Sequence, residues 1–183
     1  MSSNELNATA ASLLGFLHDA PKTGWDLVEA IESSVGHFFN VTRSQVYREL
    51  KTLAAAGYVT VGEAGPRDRL PYAITPEGER AFAEWVATEP GDDILRMPIV
   101  VRVFFGATVP PDVLRRHLAA ARVVHERRLA EYEELRKRGA WDDATGPFQL
   151  KTLELGIAYE KTLLAWFDSL PWLDTPKARR SRG

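Results

Sequence analysis

Apolar and polar positions alternate along the chain with a helical period, and the caps that bracket each stretch mark where the elements begin. Ala10, Leu13, Leu14 and Leu17 fall at i, i+3, i+4 and i+7, which predicts a helix capped by Asn7 and running to about Asp19, just before Pro21. Thr23-Gly24-Trp25-Asp26 places a hydroxyl three residues before a carboxylate, a variant of the capping box. It opens a second helix with Leu27, Ala30 and Ile31 inward and an acidic outer face. Thr42-Arg43-Ser44-Gln45 is a full capping box and starts a third helix that Gly57 ends. At 100° per residue, Val46, Leu50 and Leu53 form one stripe of that helix, Ser44, Arg48, Lys51 and Ala55 the opposite one, and Arg43, Gln45, Tyr47 and Thr52 the margins.

The period then changes. Tyr58–Val61 and Leu70–Ile74 are rich in β-branched and aromatic residues, and the Gly, Pro and Asp content of 62–69 is that of a turn, so the pair predicts a two-stranded hairpin. Pro71 has no backbone donor and belongs on an edge strand or among a strand's first residues. Thr75-Pro76 opens another helix, with Phe82, Trp85 and Val86 on its apolar side. Residues 88–93, with Pro90 and Gly91, form a linker. Ile99–Phe105 has strand propensity, yet Pro98 equally suits the first position of a short helix, and pattern alone leaves both open. Pro110–Arg138 holds no internal breaker and predicts a helix about 40 Å long. After the break at Gly139–Gly146, Pro147–Leu170 predicts a last helix with Leu150, Leu153, Ile157, Leu164 and Phe167 on one side. Two such helices would leave their apolar stripes partly uncovered within one chain. Leu114, Leu118, Leu153, Ile157 and Leu164 are therefore the expected contacts of a homodimer. No internal repeat is present.

Composition narrows the function classes. The 183 residues include no cysteine, which excludes a disulfide framework, a thiolate zinc site and a cysteine nucleophile. No run approaches the roughly 18 apolar residues of a membrane span, and Met1–Ala10 lacks the pattern of a signal peptide, so a cytoplasmic protein without a membrane partner is expected. Of the four histidines, His117 and His125 stand eight apart on one helix, beyond the spacing of paired metal ligands. No phosphate loop, nucleophile elbow or carboxylate cluster accompanies them. Neither enzyme, metal nor cofactor is expected, and no catalytic residue is assigned.

The formal net charge of −2 hides a segregation that points to an anionic partner. Residues 1–86 carry seven Lys/Arg against eleven Asp/Glu, yet five of those cations (Arg43, Arg48, Lys51, Arg67 and Arg69) lie between Thr42 and Leu70 against three acids. That stretch is net +2 and the rest of this half is −6, a field that orients an anion as well as attracting it. Three helices, the third with a polar and basic outer face, followed by a hairpin tipped with Arg67 and Arg69, make the layout of a winged helix-turn-helix. Such a helix fits the major groove, where Arg and Lys reach guanine edges or phosphates. Thr42, Arg43, Ser44, Gln45, Tyr47, Arg48 and Lys51 of the helix, Arg67 and Arg69 of the wing, and Trp25 are the expected contacts to double-stranded DNA. The alternative is a dimeric adaptor that binds no DNA, and salt-dependent DNA binding separates the two.

Several short stretches then carry a family resemblance. Leu13-Leu14-Gly15-Phe16-Leu17, Gly24-Trp25-Asp26-Leu27, Val46-Tyr47-Arg48-Glu49-Leu50-Lys51-Thr52-Leu53 with Gly57-Tyr58-Val59, and Tyr72-Ala73-Ile74-Thr75-Pro76-Glu77-Gly78 with Trp85 resemble the PadR family of bacterial transcriptional regulators. Arg102-Val103-Phe104-Phe105-Gly106 and Glu154-Leu155-Gly156-Ile157-Ala158-Tyr159-Glu160 are similar to the helical C-terminal domain of its longer, virulence-activator-type members. The resemblance covers about residues 6–170 and implies helix for 98–105. It also implies a homodimeric repressor or activator, with repression the expected role. Trp25 stands where the family commonly has Tyr, and the modest basic content of helix three and wing implies that tight binding requires the dimer. A small aromatic effector is implied by analogy, with Trp166, Tyr159 and Phe104 as its expected contacts.

The expected fold is thus mainly α with a small β-hairpin wing. A winged-helix DNA-binding domain occupies 1–87, a linker 88–93, a helical dimerisation domain 94–173 and a basic disordered tail 174–183.

Overall fold

Each predicted N-cap is occupied in the computed structural model, which describes residues 6–34, 41–66, 69–91, 95–139 and 145–171. The Asn7 side chain accepts the Ala10 amide at 2.9 Å and starts α1 (Ala8–Phe16). Thr23 and Thr42 close reciprocal capping boxes that open α2 (Gly24–Ser33) and α3 (Arg43–Ala55), and Thr75 caps α4 (Pro76–Ala87). A side-chain acceptor at each start satisfies amides that have no partner inside the helix.

The chain folds as two units, Met1–Asp92 and Asp93–Gly183. In the first, Leu13, Leu14 and Leu17 meet Leu27, Val28 and Ile31 of α2 and Val46, Leu50 and Leu53 of α3 in one buried core. Helix α1 is shorter than expected, ending at Phe16 with Leu17 as its cap. The chain then enters a strand that the hydrophobic pattern did not predict, β1 (Lys22–Thr23). With β2 (Val59–Val61) and β3 (Pro71–Ile74) it forms an antiparallel sheet in the order β1-β3-β2, so the expected two-stranded hairpin is three-stranded. β3 is the central strand. Pro71 is tolerated there because it is the strand's first residue, where its carbonyl still accepts the Gly62 amide at 2.8 Å. Along α4, Phe82 packs on the core but Trp85 and Val86 are exposed, contrary to the predicted apolar side. The first turn of α4 sits against Tyr58 and Ile74.

The second unit is helical. Residues 98–104, ambiguous by pattern, form α5 (Pro98–Phe104). A 3₁₀ turn (Gly106–Thr108) leads to α6 (Pro111–Arg138), which packs along α7 (Gly146–Asp168). Leu114 and Leu118 meet Phe167 and Leu170 at one end of the pair, and Tyr132 meets Leu153 and Ile157 at the other, so the two helices are antiparallel. Between the ends, His125 Nδ1 lies 2.6 Å from Glu160 Oε2, and that carboxylate is 1% exposed. At Gly156 a Cβ would stand 2.8 Å from the Tyr132 ring, so the absence of a side chain sets how closely the helices approach.

This packing corrects the expectation that the apolar stripes await a partner. Leu114, Leu118, Leu153 and Ile157 are buried within their own unit, because the antiparallel pair and α5 cover them from inside the chain. Leu164 is half-buried, and its neighbour Leu163 takes the buried position.

Candidate nucleic-acid interface

Helix α3 separates its two faces cleanly. Val46, Leu50 and Leu53 are at most 2% exposed, while Ser44, Arg48 and Lys51 on the opposite stripe face solvent. The stripe is fixed from below by the core and from its start by the cap, in which Thr42 Oγ1 accepts the Gln45 amide at 3.2 Å and donates to Gln45 Oε1 at 2.9 Å. Gln45 Oε1 also accepts the Thr42 amide at 2.8 Å. Thr42 and Gln45, expected among the DNA contacts, are therefore engaged with each other and aim the helix.

Tyr47 is half exposed and its ring lies over the start of α2, where a Cβ on Gly24 would stand 2.5 Å from the Tyr47 ring. Glycine alone permits that approach, which draws the first turn of α3 toward the first turn of α2. Trp25 is the next residue. Its indole is 40% exposed and carries two guanidinium groups: Arg43 Cζ is 4.5 Å from the ring centroid and Arg69 Cζ is 5.0 Å. Both distances are within the range of a cation–π contact.

The sheet explains why a wing residue reaches α2. β1 pairs with β3 in the register Lys22↔Tyr72 and Thr23↔Pro71. The chain turns into α2 directly after that pairing, and Trp25 and Arg69 each lie two residues beyond the Thr23↔Pro71 pair. Asp26 completes the corner. Its carboxylate is lowered from its ordinary pKa, first by hydrogen bonds from the Thr23 hydroxyl and amide and further by the nearby charges of Arg69 and Lys22.

Glu49 was not singled out from the sequence. It is nearly buried, accepts Asn7 Nδ2 at 3.2 Å and lies 3.4 Å from Arg48. It ties the α1 cap to α3 and lies beside a residue of the exposed stripe. The adjacent Arg48 side chain remains 68% exposed, so the pair is weak and leaves the guanidinium accessible. Arg67, the other expected wing contact, lies outside the described residues, as does the 174–183 tail.

The three expected effector contacts are not brought together. Trp166 packs on the Leu114, Leu118 and Phe167 cluster, and the Tyr159 hydroxyl donates to Met97 Sδ at 3.6 Å. Phe104 is 79% exposed and meets Phe105 edge-on at 4.8 Å. An open depression of about 730 Å³ is lined by Leu95, Arg96, Met97, Pro98 and neighbouring α5 residues, and none of the three aromatics lines it. Among the described residues no group of acidic or histidine side chains is arranged to hold a metal ion, and no helix is long and apolar enough to cross a membrane.

Comparison with known proteins gives two family matches. Residues 13–84 match the transcriptional regulator PadR-like family, and residues 95–170 match the family described as virulence activator alpha C-term. The probable transcriptional regulator Rv1176c of Mycobacterium tuberculosis is 26% identical, over 87% of this chain and 93% of its own. Among solved structures, the PadR-like transcriptional regulator BC1756 of Bacillus cereus superposes with a TM-score of 0.75 at 20% identity, covering 87% of this chain and 93% of that one. Bacillus subtilis PadR in complex with operator DNA gives 0.73 at 17% identity, covering 89% and 96%. The same protein in complex with p-coumaric acid gives 0.63 at 17% identity, covering 90% and 95%. At these identities the likeness to solved structures is one of fold.

Proposed function

The chain joins a PadR-like transcriptional regulator domain to a virulence-activator-type C-terminal domain, and from that premise we propose that it acts in the cytoplasm as a sequence-specific repressor, binding double-stranded DNA as a homodimer. The observation that carries this reading is the exposed stripe of α3, Ser44, Arg48 and Lys51, set opposite a fully buried one and bordered by Arg43 and Arg69. An α-helix with its side chains is about as wide as the major groove of B-DNA, so this stripe can meet base edges while the wing meets the backbone. The existence of an operator complex of Bacillus subtilis PadR supports the same class of partner.

A two-fold protein presents two copies of α3, so the operator is an inverted repeat with half-site centres about one or two helical turns apart. With Leu114, Leu118, Leu153 and Ile157 spent inside the chain, the homodimer contact passes to apolar side chains that remain exposed. Phe148 and Leu155, one heptad apart on α7 and 76% and 60% exposed, fit that role. A small aromatic effector releases the DNA, a reading supported by the p-coumaric acid complex of the Bacillus protein. Selection of bound duplexes from a random pool, followed by footprinting, tests the proposal. Recovery of a symmetric motif protected on one side of the duplex supports it, and recovery of no enriched sequence contradicts it.

A further inference from the structure

We propose that Trp25 is a positioning residue, an aromatic platform that holds Arg43 of the recognition helix and Arg69 of the wing in place for the DNA backbone without itself touching DNA. The inference rests on the DNA-binding reading and assigns how one corner of that interface works. Three features support it. The two guanidiniums come from segments 26 residues apart in sequence, yet both lie within 5.0 Å of one indole centroid. The elements beneath the ring are joined: Trp25 and Arg69 each lie two residues beyond the β1–β3 pair Thr23↔Pro71, and the contact of Tyr47 at Gly24 brings α3 beside the first turn of α2. Asp26, locked to Thr23 by its capping box, places a carboxylate near Arg69 and offsets part of the repulsion between two cations on one ring.

The chemistry suits a backbone contact. A guanidinium resting on a π-face keeps its N–H donors at the edge of its own plane free for phosphate oxygens, and it loses less freedom on binding than a side chain searching through solvent. Indole is the strongest of the aromatic platforms, so a Trp here can hold both cations. Helix and wing then move as one cationic unit.

The test uses the full chain and a duplex that the wild type recovers from a random-sequence pool. In the free protein, arginine side-chain NMR signals of Arg43 and Arg69, assigned by Arg43→Ala and Arg69→Ala, should be shifted upfield by the indole ring current. The shift should vanish in Trp25→Leu and persist in Trp25→Phe. In binding, Trp25→Leu should weaken affinity on the order of tenfold and flatten the salt dependence, and Trp25→Phe should restore most of both. In an Arg43→Ala/Arg69→Ala background the same Trp25→Leu change should cost nothing further.

The inference is overturned if the ring-current shifts are absent from the wild type. It is overturned equally if Trp25→Phe loses as much as Trp25→Leu, which would make the indole N–H a direct contact, or if the loss persists without the two arginines. If the wild type recovers no duplex while the ring-current shifts are present, the DNA-binding reading fails and takes this inference with it, although the platform geometry stands.

Discussion

Arg48 is the side chain on which sequence specificity is expected to rest, because it projects from the exposed stripe of α3 and, among the described residues, pairs only weakly with the adjacent Glu49. Arg48→Ala should cost about 1–3 kcal/mol on the preferred duplex and relax preference at one position of each half-site. Arg69→Ala should instead weaken all duplexes nearly equally and lower the salt slope by about one unit per lost phosphate contact, readable by titration at several salt concentrations. In the second unit, burial against α7, with the Glu160 charge adding to it, pushes the Tyr132 hydroxyl up to about 12 from its ordinary 10. The folded chain then holds a proton that the unfolded chain releases first, so stability falls as pH rises between about 10 and 12. Tyr132→Phe should flatten that fall in a comparison of denaturation midpoints. His125→Ala should be more costly, by about 3 kcal/mol, since it leaves the buried Glu160 carboxylate without its imidazole.

At the scale of elements, what could be read from the sequence follows what is local. The caps at Asn7, Thr23, Thr42 and Thr75 and the stripe of α3 depend on residues within one or two turns, and all are visible in the pattern. β1 is not, because two residues show no alternation and exist as a strand only through pairing with β3. The Trp25 corner follows from that pairing and stays hidden for the same reason: its ring is visible in the sequence, but the two arginines that meet it are not. The α6–α7 pair shows the opposite error. Its heptad-like stripes are plain, but periodicity cannot tell whether a stripe meets a helix of the same chain or of another, and the antiparallel fold-back uses Leu114, Leu118, Leu153 and Ile157 internally. Gly156→Val should accordingly separate the two helices at Tyr132 and lower stability by about 1–3 kcal/mol in chemical denaturation.

For the whole molecule, the corrected packing separates folding from association. Ile157→Asp places a charge in the core and should unfold the second unit. Leu155→Asp changes an exposed side chain and should leave the fold intact while dissociating the proposed homodimer, a leucine buried at such a contact being worth roughly 2 kcal/mol and counted twice by symmetry. Circular dichroism together with sedimentation distinguishes the two outcomes. Whether the exposed face of α3 reads sequence in double-stranded DNA is decided by fluorescence anisotropy. The wild type and Arg48→Ala are titrated with the recovered duplex and with a shuffled duplex of the same composition, at several salt concentrations. The wild type should bind the recovered duplex at least about a thousandfold more tightly, with affinity falling steeply as salt rises, and Arg48→Ala should narrow the gap between the two duplexes. Equal affinity of the wild type for both duplexes, or binding that salt does not weaken, would contradict it.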